Sequence, residues 1–170
     1  MEAVLNFMGT RQMLRLLVLA GGLMSCENKT DLQKRELLAS YYQLYNQHQD
    51  LDAFMTFYDD NIKYQDIVTG EQVIGKTQLK QFFDWKNPHF TALDSTVLLV
   101  EKILVDKDQV VVSGHFTKFE WAGQPYGPMH FTSIFTFNNS GKIIKQSDWI
   151  NYPSTLLDYE TRKNSNAWLQ

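Results

Sequence analysis

Apolar residues along this chain recur first with a helical period and then with a period of two. Between Asp31 and His48, the residues Leu37, Tyr41, Leu44 and His48 return every three or four positions, flanked by Leu38, Tyr42 and Tyr45. That spacing places them on one face and predicts a helix over 31–48. Thr30-Asp31-Leu32-Gln33 has the pattern of a capping box, with Thr30 as N-cap. Leu51, Phe54, Met55 and Tyr58 predict a second, shorter helix behind Asp50. From Asn61 to Ile67 alternate residues share a face, so the chain is a strand there, and Thr69-Gly70 turns it. A third helix follows Gly75, capped by Thr77 and carrying Leu79, Phe82 and Phe83; it must stop before Pro88.

From about Ala92 the pattern is of strands only. Val97–Val105, Gln109–Trp121, Met129–Phe137 and Lys142–Asn151 are separated by turn-forming runs at Asp106-Lys107-Asp108, Ala122-Gly123-Gln124-Pro125 and Asn138-Asn139-Ser140-Gly141. Short connections imply an antiparallel meander. Long strands in a small domain curl, and Gly114 is the position for the bend. The expected architecture is α+β: a curved antiparallel sheet, a cone-like half barrel, wrapped around N-terminal helices.

The amino end follows a different grammar. Arg11 and Arg15 precede the apolar run Leu16-Leu17-Val18-Leu19-Ala20, which closes at Leu23-Met24-Ser25-Cys26. The run is shorter than the roughly 20 residues of a membrane-spanning helix. It reads as the core of a secretory signal. The resulting division is 1–25 signal peptide, 26–30 tether, 31–158 domain and 159–170 C-terminal tail.

Composition narrows the picture. The chain has 170 residues, 21% charged, with formal net charge −3, which suits one domain and argues against a basic nucleic-acid-binding surface. Cys26 is the sole cysteine, so an intrachain disulfide and a thiolate zinc site are excluded. Only the aromatic content, at 14%, is high. Rings in that number either fill a core or wall a pocket for an apolar ligand.

Two resemblances follow. Leu23-Met24-Ser25-Cys26 resembles the bacterial lipobox, which implies lipidation of Cys26 and a lipoprotein held at the bacterial envelope by that anchor alone. The order of elements resembles the nuclear-transport-factor-2-like superfamily, which includes the SnoaL-like cyclases and ketosteroid isomerase. Phe57-Tyr58-Asp59-Asp60-Asn61-Ile62-Lys63-Tyr64-Gln65-Asp66, the stretch from Val73 to Phe83, and Gly141-Lys142-Ile143-Ile144 followed by Asp148-Trp149 carry the similarity. It spans Leu32 to Leu157 and implies a cone that takes a small apolar molecule, without cofactor or metal.

The candidate chemistry is acid–base. Asp66 shares a strand face with Ile62 and Tyr64, and a carboxylate on an apolar face has its pKa raised by desolvation. It falls where ketosteroid isomerase resembles this chain in its proton-transferring Asp, and Tyr42 where that enzyme has its oxyanion-hole Tyr. The alternative for Asp66 is a cap on the turn that follows; for Tyr42 it is packing. His115, His130 and Asp148 form a second constellation, with His115 as a further catalytic candidate. Tyr64, Phe116, Phe119, Trp121, Phe131, Ser133, Asp148 and Trp149 are the expected ligand wall. Ser133 stands where ketosteroid isomerase places a protonated Asp, so that activity itself is not implied. Two readings result: a cofactor-independent isomerase, cyclase or dehydratase, and a non-catalytic envelope module whose open sheet face pairs with a second copy as a homodimer or with another protein.

Overall fold

The computed structural model describes residues 29–157. The expected signal peptide, Cys26 and the expected tail 159–170 lie outside the described residues. Helix α1 (Lys29–Gln47) and the one-turn α2 (Leu51–Met55) lead into β1 (Tyr58–Asp66), β2 (Gln72–Ile74) and α3 (Lys76–Phe83). Then come β3 (Phe90–Ala92), β4 (Leu98–Asp106), β5 (Gln109–Phe116), β6 (Phe119–Trp121), β7 (Gln124–Tyr126), β8 (Met129–Phe137) and β9 (Ile143–Ile150). The α+β class and the curved sheet are as expected.

The main sheet has six strands in the order β2-β1-β9-β8-β5-β4. Strands β4, β5, β8 and β9 form the expected antiparallel meander, with short turns joining β4 to β5 and β8 to β9 and the longer stretch 117–128 joining β5 to β8. One pairing departs from it: β9 closes against β1 in parallel, with Asp66 beside Asp148. A partner so far away in sequence leaves no local trace. The stretch from Gln109 to Trp121 also breaks in two. Thr117 turns its hydroxyl onto the carbonyls of Thr96 and Val97, and Lys118 N–H donates to Asp94 at 3.0 Å. Beyond the break, β6 leaves the main sheet and joins β3 and β7 in a separate three-stranded sheet.

Two helix starts differ from expectation. Helix α1 already includes Lys29, so Thr30 lies within it and is not its N-cap. Helix α3 starts after Gly75 at φ +90° with no side-chain cap, so Thr77 lies inside the first turn. Asp50 does cap α2, accepting from Ala53 N–H at 2.9 Å.

The sheet bends at Gly114. A Cβ there would sit 2.0 Å from the Leu99 carbonyl oxygen and 3.1 Å from the Phe131 ring. The β4/β5 register shifts between Val100 and Lys102, beside the same point. Glycine lets the strands close up and curl there. The concave face receives α1, and Leu38, Tyr41 and Tyr42 bury against Phe54, Ile62, Val112 and Phe135.

Candidate functional site

One end of the concave face is not filled. A cavity of about 380 Å³ lies between α1, α3 and the sheet. Its walls are mostly rings, among them Phe83, Trp85, Phe90, Phe116, Phe119 and Phe131. Its charged lining residues are Asp84 and Asp148; no Lys or Arg is among them.

Strand parity builds the polar wall. On β9, Gln146, Asp148 and Ile150 face inward, while Trp149 between them is exposed. Ser133 on β8 lies directly across from Asp148 in the antiparallel register. Gln146 Nε2 is 3.1 and 3.0 Å from the two carboxyl oxygens of Asp148. The hydroxyls of Ser133 and Tyr64 also hydrogen-bond this carboxyl, and the Tyr42 phenol reaches Ser133. These donors favour the carboxylate, but burial outweighs them and pushes Asp148 up to about 6. The nearby Asp66 charge adds to the rise. A carboxyl poised just below neutrality, with its donors already in place, can take up and return a proton.

Asp66 itself is placed otherwise. It is buried, but its Oδ1 accepts from Val68 N–H at 2.8 Å and Thr69 N–H at 3.0 Å. Its Oδ2 accepts from the Tyr152 hydroxyl at 2.6 Å. Both oxygens are thus committed, one to the turn and one to Tyr152, and Asp66 is not among the cavity's lining residues. The turn-capping alternative describes its geometry.

His115 also lies elsewhere. Val110, Val112 and Gly114 face the core along β5, so His115 faces the outer side. There its Nδ1 pairs with Glu101 Oε1 at 2.7 Å, and its ring stands 6.3 Å from that of exposed His130. The constellation of two imidazoles and Asp148 therefore does not assemble, because odd and even positions point to opposite faces. Trp149 is on the outer face for the same reason. Tyr42, Tyr64, Phe116, Phe119, Trp121, Phe131, Ser133 and Asp148 all line the cavity. Among the described residues, no group of three His, Cys, Asp or Glu is arranged to hold a metal ion.

Several lining residues escaped the sequence reading. Gln146 precedes Asp148 by one strand repeat, and that parity was the available signal. Tyr152 lies beyond the last strand, where no periodicity applies. His48, which the helical spacing places on the apolar face without assigning it to a site, lines the cavity, with its ring stacked 4.6 Å from Trp85. Burial lowers its pKa, so the neutral imidazole prevails near pH 7.

A curved sheet wrapped around N-terminal helices, with an aromatic cavity at one end, defines a class of α+β cone domains. The SnoaL-like domain family profile matches residues 38–146, and the chain belongs to that family. Comparison with curated proteins gives no match. Among solved structures, the chain is similar to a candidate SnoaL-like polyketide cyclase from Shewanella putrefaciens CN-32. Identity there is 16%, coverage 73% of this chain and 93% of the other, and the TM-score 0.60. It is similar to a nuclear-transport-factor-2-like protein of unknown function from Burkholderia xenovorans LB400, at 21% identity, 72% and 86% coverage and TM-score 0.55. It is also similar to TerC, in a structure co-crystallised with polyporic acid, at 15% identity, 68% and 88% coverage and TM-score 0.54. These likenesses establish the cone fold.

Proposed function

We propose that the protein binds a small, flat, largely apolar and non-anionic molecule in its cone and moves a proton on it without a cofactor. The observation that carries this reading is the buried carboxyl of Asp148 on the wall of an aromatic cavity, held by Gln146, Ser133 and Tyr64. The Asp148 carboxylate takes a proton from a carbon next to a ligand carbonyl. The C–H electron pair moves into the enolate, and its charge rests on the carbonyl oxygen. Protonated Asp148 accepts fewer hydrogen bonds, which frees the hydroxyl hydrogens of Ser133 and Tyr64 for that oxygen. Return of the proton at another carbon gives isomerisation; attack of the enolate carbon on a second carbonyl of the ligand forms the C–C bond, moves that carbonyl's π pair onto its oxygen, and gives cyclisation when the oxygen takes the proton back from Asp148. The base is thus Asp148 on the last strand, not Asp66. It stands across from Ser133, the position at which ketosteroid isomerase carries its acid.

The test begins with native mass spectrometry to identify the bound molecule. Asp148→Asn then retains the cavity and lowers turnover about a hundredfold or more. Turnover unchanged in that variant removes Asp148 as the base. A second reading, an interaction module, is favoured by the exposed Leu99, Leu104 and Trp149 outside the cavity. A second copy of the chain is its proposed partner, and light scattering that returns a monomer at high concentration defeats it. For the amino end we propose lipidation of Cys26 and anchoring at the bacterial envelope. Cys26→Ser then releases the protein from membranes, and continued detergent partitioning of that variant refutes the anchor.

A further inference from the structure

Behind Asp148 runs a chain of buried polar groups that the proton-transfer step does not use. Tyr41 Oη lies 2.8 Å from Tyr58 Oη, and Tyr58 donates to Gln146 Oε1 at 2.8 Å. Gln146 Nε2 then meets both carboxyl oxygens of Asp148. Tyr41, Tyr58 and Gln146 are 2%, 0% and 3% exposed, so water is not at hand to replace a lost partner. Tyr58 does not line the cavity, whereas Gln146 and Asp148 do.

A primary amide has one accepting end and one donating end. The Tyr58 hydroxyl hydrogen occupies the accepting end, so the N–H groups are left to face Asp148. A reversed amide would set its oxygen against a carboxylate oxygen, and Tyr58 could accept from the nitrogen only by turning its own hydrogen toward Tyr41. The ring of Tyr58 packs among aromatics, 5.8 Å from Phe54. Phenylalanine would fill that space as well; what the hydroxyl adds is direction.

We propose that Tyr58, braced by Tyr41, is a positioning residue that locks the Gln146 amide with its N–H groups toward Asp148 and thereby sets how readily that carboxyl takes up a proton. The inference rests on the role proposed above for Asp148. The other groups whose charge bears on that carboxyl are Tyr64 and Asp66 from β1, Tyr42 and Tyr45 from α1, and Tyr152 beyond β9. The phenols remain neutral near pH 7, since burial raises all four.

The experiment is a carboxyl-carbon NMR titration of Asp148 in the full chain, with no ligand added. Tyr58→Phe raises the midpoint by about one pH unit, a tenfold change in proton affinity, because the freed amide no longer donates steadily. Gln146→Met raises it at least as far, and Tyr41→Phe raises it less. In the unaltered protein, the Gln146 side-chain amide signals move with the same midpoint as Asp148. An unchanged midpoint in folded Tyr58→Phe overturns the proposal. Should that variant not fold, Gln146 amide signals that ignore the Asp148 titration overturn it instead. Loss of the catalytic reading through Asp148→Asn leaves the titration result standing, so the two failures are distinguishable.

Discussion

The packed half and the hollow half of the concave face use the same kind of side chain to opposite ends. In the packed half, Phe54 stands 5.8 Å from Tyr58 and 4.6 Å from Tyr41, ring centre to ring centre, Tyr41 bordering both halves, and Phe54, Tyr58 and Phe135 have no exposed surface. In the hollow half, Trp85, Phe116 and Phe119 border about 380 Å³ of open volume. Aromatic content therefore does not distinguish core from pocket; the polar partners do. Hydroxyls in the packed half are spent on each other, and their chain ends on Asp148, a carboxyl that faces the hollow half.

The largest expected effect breaks this contrast directly. Phe135→Ala opens a void in the packed half and costs about 3–5 kcal/mol by denaturant unfolding. Phe116→Ala enlarges a space that already exists and costs about 2 kcal/mol or less, while it changes which ligands are held. Equal losses at the two sites would erase the distinction.

The next effect concerns pH. The Asp148 pKa is raised on folding from 3.8 to about 6. The folded state thus binds more protons between those values, and stability falls as pH rises through that window. The contribution is present below about pH 4 and lost above about pH 6, worth roughly 3 kcal/mol. Asp148→Asn flattens this segment of the stability curve, and the variant is the more stable protein at pH 8. A parallel pair of curves would show that the carboxyl is not strained by burial.

Tyr152→Phe is expected to cost about 2 kcal/mol, since it removes a hydroxyl bonded to the buried Asp66 charge. Asp66 keeps its two turn amides, so the fold persists; a larger loss would mean that Tyr152 holds the final segment in place. The smallest effect is expected on the outer face. His115→Asn breaks an exposed pair with Glu101 and changes stability by about 0.5 kcal/mol or less, with ligand affinity unchanged in calorimetry. A change in affinity there would return His115 to the site.

Much of the fold was legible because its signals are local. The 3.6-residue spacing of Leu37, Tyr41 and Leu44, the turn at Asn138–Gly141 and the bend at Gly114 each follow from near neighbours. The parallel pairing of β1 with β9 was not legible, since strands from opposite ends of the domain carry no mark of each other. The site divides the same way. Inward parity at Tyr64, Phe131 and Ser133 could be read from alternation. The fate of Asp66 could not, because Tyr152 arrives from 86 positions away to take its second oxygen.

The sequence by itself determined most of the elements, their order and the curvature of the sheet, since period and turn residues are properties of short segments. Tertiary structure decided how each buried carboxyl is held. Asp66 and Asp148 are neighbours across one strand pair, both buried, both on inward faces. One is satisfied by backbone amides and a phenol and faces no cavity; the other is desolvated beside an open volume. Proton affinity depends on the groups gathered around a carboxyl in space, and only the closed cone brings them together.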